Sequence, residues 1–411
     1  MKNAVVLVWN NFTNDKRVMN ISTSLCDLDY DVTVIAAKTI KELPTIEKRE
    51  YSVYRISLFS ALLGSKKTQY QSNAKGRSND LTFYQKVVRN NKIKLILVES
   101  INVIIFFHRA LWFMLRYKPS LIYCNDLDTL FVGFVAAKLT SSLIIYDSHE
   151  IFLDGSRYSK ATFFRRRWWK FLEKYTINRV DQVIVTTDYR KKLLQKTYNL
   201  RNIEVIRNCH NRMEYSKKNL LREEFGIKDD VPILLYQGGL TEERGIFTMV
   251  DIMANLHGVA LVFMGMGRDK NRLQQYVIKK GMHKHIFIKD AVDPMKLIDY
   301  TSSADIGLQL LKNINMNHYS TISNKIFEYM SAGLAIVASD FPEIRKIVKG
   351  YNIGEVVNPD SQKETHSAIV KIVNNKKLME EMKKNSLLAA KENTWEKEQE
   401  KLDSVLQRIT T

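Results

Sequence analysis

The chain has 411 residues, 45% of them hydrophobic, which excludes a disordered protein and exceeds what one hydrophobic core usually spans, so two domains of about 200 residues are expected. A net charge of +19 points to an anionic partner: nucleic acid, a membrane surface or phosphorylated substrates. Three scattered cysteines, Cys26, Cys124 and Cys209, exclude a disulfide framework and a zinc site and fit a reducing cytoplasm.

In chain order, the apolar run at 4–9 is cut short by Asn10, Asn11, Thr13 and Asn14, too soon for a signal peptide, and reads as a first buried strand. Residues 66–80 are polar and basic and read as a mobile loop. The most hydrophobic region, 95–115, is interrupted by Glu99, Asn102, His108 and Arg109, whereas a spanning helix needs about 20 mostly apolar residues, so no transmembrane helix is expected. Strand-like runs at 5–8, 32–36, 120–124, 143–146, 182–186 and 203–206 alternate with helical patterns. After Asn208, Cys209, His210 and Asn211 the series restarts, with strands at 233–237, 260–264, 285–288, 306–310, 334–338 and 354–357. Such alternation predicts an α/β chain of two Rossmann-like domains with parallel sheets, residues 1–208 and 209–385, with ligands beyond the carboxyl ends of the strands. Residues 386–411, with Trp395 and Leu402 among many charges, read as a C-terminal helix, which in two-domain enzymes of this kind crosses back onto the first domain.

The segment 320–340, STISNKIFEYMSAGLAIVASD, says most about function. Ser320, Ser323 and Asn324 are helix-start residues, and Lys325 puts a cation where first-turn amides already point at an anion. Glu328 lies on the same face one turn later; it would repel phosphate, so it reads as an acceptor for ribose or sugar hydroxyls. Gly333 ends the helix and a core strand follows, an order that builds a diphosphate-sugar pocket. In YQGGLTEERGI at 236–246, Gly238 and Gly239 let backbone approach a ligand and Arg244 can fork onto a diphosphate; the alternative is a plain turn with a solvated arginine. In MGMG at 264–267, Gly265 and Gly267 fit either a nucleobase or phosphate edge or a tight turn. Asp293 reads as a helix cap and Asp305 as a strand start.

In the first domain, NNFTNDKR at 10–17 lies between a strand and a helix. Either Asp15 or Asn14 caps that helix with Arg17 solvated, or Asp15 and Arg17 are acceptor-side groups. Asp126 or Asp128 reads as a helix cap, and Asp126 and Glu150 complete the acceptor-side candidates. YDSHE at 146–150 places His149 between two carboxylates just past a buried strand, where it can bond a reacting sugar, donate to a developing charge or act as a base. FFRRRWWK at 163–170 joins four cations to four aromatics. It suits a lipid headgroup boundary, stacking on single-stranded nucleic acid, or a plain amphipathic helix with Trp168 or Trp169 inward; the basic stretch 160–174 as a whole favours an anionic membrane surface.

Taken together, NDKRV near the start, YDSHE, VIRN at 205–208, YQGGLTEERGI, LVFMGMG, ADIGL and NKIFEYMSAGLAIVASD resemble the family 4 glycosyltransferases over essentially the whole chain. That family has the two-Rossmann-domain fold called GT-B, its parallel sheets facing across a cleft. The resemblance implies transfer of a sugar from a nucleotide-diphosphate donor, retaining, without metal or other cofactor. On its pattern Arg244 and Lys325 hold the diphosphate, Glu328 the ribose, and His149 the reacting sugar, with cations and backbone amides stabilising the departing nucleotide. Two positions depart from it: Ser320 stands where the family commonly has a glutamate that positions the donor sugar, and Gly239 stands where many members carry an arginine. The reading is a cytoplasmic, peripheral membrane hexosyltransferase extending a lipid-linked saccharide of a surface polysaccharide. The alternatives are a soluble enzyme of the same fold, such as a sugar-nucleotide epimerase or glucan synthase, and a basic nucleic-acid binder, which leaves Arg244, Lys325 and Glu328 unexplained.

Overall fold

The computed structural model describes residues 2–62, 92–151, 154 and 163–410; the loop expected at 66–80 and residues 160–162 of the basic stretch lie outside them. The chain forms two compact units. The first comprises Met1–Val185, Leu193–Val205 and Leu402–Thr411, and the second Thr186–Lys192 and Ile206–Lys401.

The strands of the first unit are β1 (Lys2–Val8), β2 (Tyr30–Lys38), β3 (Ile46–Lys48), β4 (Ser52–Ser57), β5 (Leu121–Asn125), β6 (Leu143–Ser148), β7 (Gln182–Val185) and β8 (Ile203–Val205). They form one sheet in the order β3-β4-β2-β1-β5-β6-β7-β8, parallel except for β3 against β4. Every strand expected from an apolar run forms, because a parallel strand is covered on both faces and so reads as a continuous apolar stretch. β3 and β4 escaped that reading. Arg55 interrupts β4, and it is buried because its guanidinium donates to the Asn11 and Phe12 carbonyls and to Glu47.

The second unit holds β9 (Ile233–Gln237), β10 (Ala260–Met264), β11 (Ile286–Lys289), β12 (Ile306–Gln309), β13 (Ala335–Ser339) and β14 (Gly354–Val357), in the order β11-β10-β9-β12-β13-β14, all parallel. Alternate residues of β9 feed two different cores, Leu234 and Tyr236 into one and Ile233 and Leu235 into the other, as the two-residue period of a strand dictates. The order reverses between β9 and β12, and such a switch point opens a crevice at the carboxyl ends of the strands.

The 95–115 region lies within one continuous helix. Its polar residues do not interrupt the helix Lys92–Tyr117: Asn102 is buried and accepts from the Ser60 amide at 3.2 Å, and Glu99 accepts from Arg165 at 2.7 Å. By length and composition alone, Ile96–Tyr117 is long and apolar enough to cross a membrane. At the C-terminus, the last ten residues belong to the first unit, where Leu402, Val405 and Leu406 are buried and Arg408 donates to Gln182 at 3.0 Å.

Candidate active site

In the second unit, β9 ends at Gln237 and the chain turns through Gly238 and Gly239 beside the loop that follows β10. The Gly238 and Leu240 amides donate to the carbonyls of Met264 and Met266, both at 2.9 Å. This backbone zipper explains Gly265, where a Cβ would fall 1.9 Å from the Gly238 carbonyl oxygen; Gly267 likewise faces the Leu240 backbone. Both glycines therefore serve loop-to-loop contact, the tight-turn reading of MGMG. Gly238 has φ 115°, and a Cβ there would lie 2.8 Å from Lys325 Cε, so the lysine stem rests on bare backbone. Gly239 lies beside Arg244, whose Nε is 3.5 Å from where its Cβ would be.

Lys325 enters from the first turn of the helix Asn324–Ser331, with Ser323 at the cap position and Asn324 accepting from Asn208 at 3.5 Å. Its side chain is only 7% exposed and its ammonium sits 5.3 Å from the centre of the Tyr236 ring. Among the described residues no carboxylate pairs with it. Burial, and next the neighbouring Arg244 charge, push its pKa down to about 7, with Glu328 acting the other way. Arg244 itself is half-buried at the end of the short turn Glu242–Arg244. Two adjacent cations, one buried without an ion-pair partner, are unfavourable until an anion arrives.

Glu328 follows one turn on. One oxygen accepts from Gln237 Nε2, the other lies 3.2 Å from His210 Nε2, and Gln237 is itself oriented by the Thr301 hydroxyl at 2.7 Å. Burial raises the carboxyl pKa, but His210, Gln237 and Lys325 outweigh it and hold the group below its usual range. His210 and Gln237 were not among the expected site residues. The only sequence signal for His210 was its place in the NCHN break at 208–211.

Ser320 does not start that helix. It closes the preceding turn Met316–Tyr319, fully buried, where its hydroxyl accepts from Arg190 Nε at 3.1 Å and its carbonyl from the Thr187 hydroxyl at 3.0 Å. Arg190 also donates to Thr186 at 2.6 Å and to Asn317 at 3.4 Å. The position that departs from the family pattern is thus filled by an arginine-centred network. Asp293 caps a turn through the Met295 amide, and Asp305 receives the Ile233 amide and Arg222, both structural roles.

In the first unit, fully buried Asp147 organises the ends of β1, β5 and β6. Its carboxylate accepts two bonds from Arg17 at 2.9 Å, one from the Tyr123 hydroxyl at 2.6 Å, and lies 3.2 Å from His149 Nε2. Arg17 is therefore neither solvated nor displayed to an acceptor: a partner 130 residues away draws it into the core. Asp15 caps the helix Lys16–Asp27 through the Val18 amide at 3.2 Å and accepts from Asn10 at 2.8 Å.

Asp126 precedes the helix Leu127–Thr140 but makes no side-chain cap to it; its carboxylate accepts the backbone amides of His149 at 3.0 Å and Glu150 at 3.4 Å. It does so from φ 60° and ψ 170°, a region essentially reserved for glycine that costs roughly 1–3 kcal/mol. His149 Nδ1 is 3.7 Å from Asp126. Burial lowers the imidazole pKa, but Asp147 and then Asp126 more than offset it, so the ring is held above its usual range. An imidazole flanked in this way favours donating hydrogen bonds over acting as a base. Glu150 is exposed at the edge of the turn.

Two sheets of mainly parallel strands wound with helices, one in each unit, define the GT-B class of glycosyltransferase fold. Residues 16–212 match the family model described as Glycosyltransferase Family 4, and residues 217–388 match Glycosyl transferases group 1. The chain belongs to the family 4-like GT-B glycosyltransferases and is a glycosyltransferase enzyme. The putative teichuronic acid biosynthesis glycosyltransferase of Bacillus subtilis is 24% identical over 274 residues, 62% of this chain and 66% of that protein. Sucrose-phosphate synthase from Thermosynechococcus elongatus superposes with a TM-score of 0.77 at 16% identity, covering 100% of this chain and 99% of its own. Anabaena HepE in complex with UDP-glucose gives 0.67 at 13% identity, covering 99% and 100%. At these identities the structures speak for the fold alone.

Proposed function

We propose that the protein transfers a sugar from a uridine-diphosphate-type donor to a saccharide acceptor in cell-surface polysaccharide biosynthesis, with retention of configuration and without a metal. The observation that carries this reading is Lys325, buried without an ion-pair partner among the described residues and held in the repulsive field of Arg244. A diphosphate is the ligand that turns this repulsion into attraction. As the sugar leaves, negative charge grows on the β-phosphate, and preorganised cations and helix-start amides stabilise that charge in the role a divalent metal plays elsewhere. Glu328, held ionised and oriented by His210 and Gln237, is suited to accept the two ribose hydroxyls. In the first unit, the Asp126–Asp147–His149 cluster is assigned to sugar and acceptor chemistry, with exposed Glu150 beside it.

The UDP-glucose complex of HepE supports the nucleotide, and the teichuronic acid relative supports a polysaccharide product. We place the enzyme on the cytoplasmic face of the cell membrane, attached through the basic-aromatic stretch 160–174 and acting on a lipid-linked acceptor. The test is donor turnover across a panel of nucleotide sugars by wild type, Lys325→Ala and Glu328→Ala. Both variants should fold and lose turnover. Wild-type rates in both would remove the donor-pocket assignment.

A further inference from the structure

The helix Lys92–Tyr117 is apolar on two opposite faces. Phe106, Ala110 and Met114 are fully buried in the core of the first unit, yet Leu97, Ile101, Ile104, Trp112 and Leu115 form a stripe on the outside. Ile104 is 56% and Trp112 58% exposed. A helix that is apolar all round needs a cover on its second face.

The helix Phe163–Ile177 repeats the pattern. Trp169 and Leu172 face the core, while Phe164, Trp168, Phe171 and Tyr175 line the outside, Phe164 being 82% exposed. Their rings run in series, Trp168 to Phe171 at 6.1 Å and Phe171 to Tyr175 at 6.3 Å. Exposed Arg167, Lys170 and Lys174 stand among them. The two helices share one layer: Leu127–Thr140 packs between them through Phe107–Phe131 at 5.7 Å and Phe134–Tyr175 at 6.0 Å, and Glu99 pairs directly with Arg165. Because all three bury their inner faces in the same core, both outer stripes look the same way.

We propose that the outer faces of Lys92–Tyr117 and Phe163–Ile177 form one docking surface that seats on an anionic bilayer at headgroup depth, the long helix lying along the interface and not across it. Spanning would strip Phe106, Ala110 and Met114 from the core and leave buried Asn102 without its bond to Ser60. A second copy of the chain is the poorer occupant, because a two-fold contact would set the patch bearing Arg167, Lys170 and Lys174 against an equally cationic one. An anionic lipid surface matches both features: rings at the headgroup boundary and cations towards the phosphates. The proposal extends the membrane part of the proposed function and is read without substrate, so its failure would leave the transfer reaction untouched.

The experiment is flotation of the full chain with phosphatidylglycerol–phosphatidylcholine vesicles and with phosphatidylcholine alone. Binding should require the anionic lipid and fall with added salt. Each cation contributes about fivefold in affinity, so Arg167→Gln, Lys170→Gln and Lys174→Gln together should weaken binding about 100-fold. Leu97→Gln with Ile104→Gln, positions exposed enough to leave the circular dichroism unchanged, should also reduce binding, and brominated lipid should quench Trp112 and Trp168 fluorescence. Four results would overturn the proposal: no vesicle binding, binding indifferent to the Leu97 and Ile104 changes, retention in membranes after carbonate extraction, or a lipid-free dimer dissolved by the same substitutions.

Discussion

The two units treat buried charge in opposite ways. Around Asp147 each charge meets its opposite: Arg17 forks onto the carboxylate, Tyr123 donates to it, and His149 is held between Asp147 and Asp126. Around Lys325 a buried ammonium faces a second cation instead. The first arrangement is complete in itself and rigidifies three strand ends. On the proposed reading the second is completed by an anion, which is how a binding site would differ electrostatically from a structural ion pair.

Breaking the completed side should give the largest loss of stability. Asp147→Asn strands the buried Arg17 guanidinium and should cost roughly 3–5 kcal/mol in urea unfolding. It should also bring the His149 pKa down, measurable by imidazole NMR titration. The sign follows from linkage: the His149 pKa is raised on folding, so its contribution is fully present below its unfolded value and is lost as pH rises through the folded one.

On the incomplete side, Lys325→Met should lower donor turnover by about 10²–10³-fold, the usual effect of losing one charge-stabilising group. The same change should leave the ligand-free protein as stable as wild type or more so, because it removes a buried charge that lacks a counter-ion. Equal destabilisation by Asp147→Asn and Lys325→Met would erase the contrast.

Smaller effects refine it. Lys325 titrates near 7 when free, and a diphosphate should raise that value, so nucleotide affinity should be flat below pH 7 and fall above it, by at most about tenfold per pH unit. His210→Ala should raise the donor KM several-fold with little change in kcat, since His210 acts by positioning Glu328. Rescue by His210→Gln would separate that role from simple packing.

All strands but β3 and β4, and the placing of Lys325 and Glu328 on one helix, were legible in the sequence because both depend on local periodicity: two-sided apolar runs in one case, helix-start spacing in the other. What sequence did not show depends on distant partners. Arg17 read as either solvated or acceptor-side because Asp147 lies 130 residues on, and His210 read only as part of the break between the two strand series because Glu328 lies 118 residues on. The helix Lys92–Tyr117 was underrated because its polar residues find partners in folded neighbours. Ser320 marked a departure from the family pattern, but only the structure supplies Arg190 as its companion.

The central claim is that the second unit holds an electrostatically incomplete site awaiting a diphosphate. Calorimetric titration of the full chain with UDP at pH 8, in buffers of different ionisation enthalpy, tests it most directly. The account predicts uptake of close to one proton per UDP bound, lost in Lys325→Met. Binding without proton uptake, or the same uptake in that variant, would contradict it.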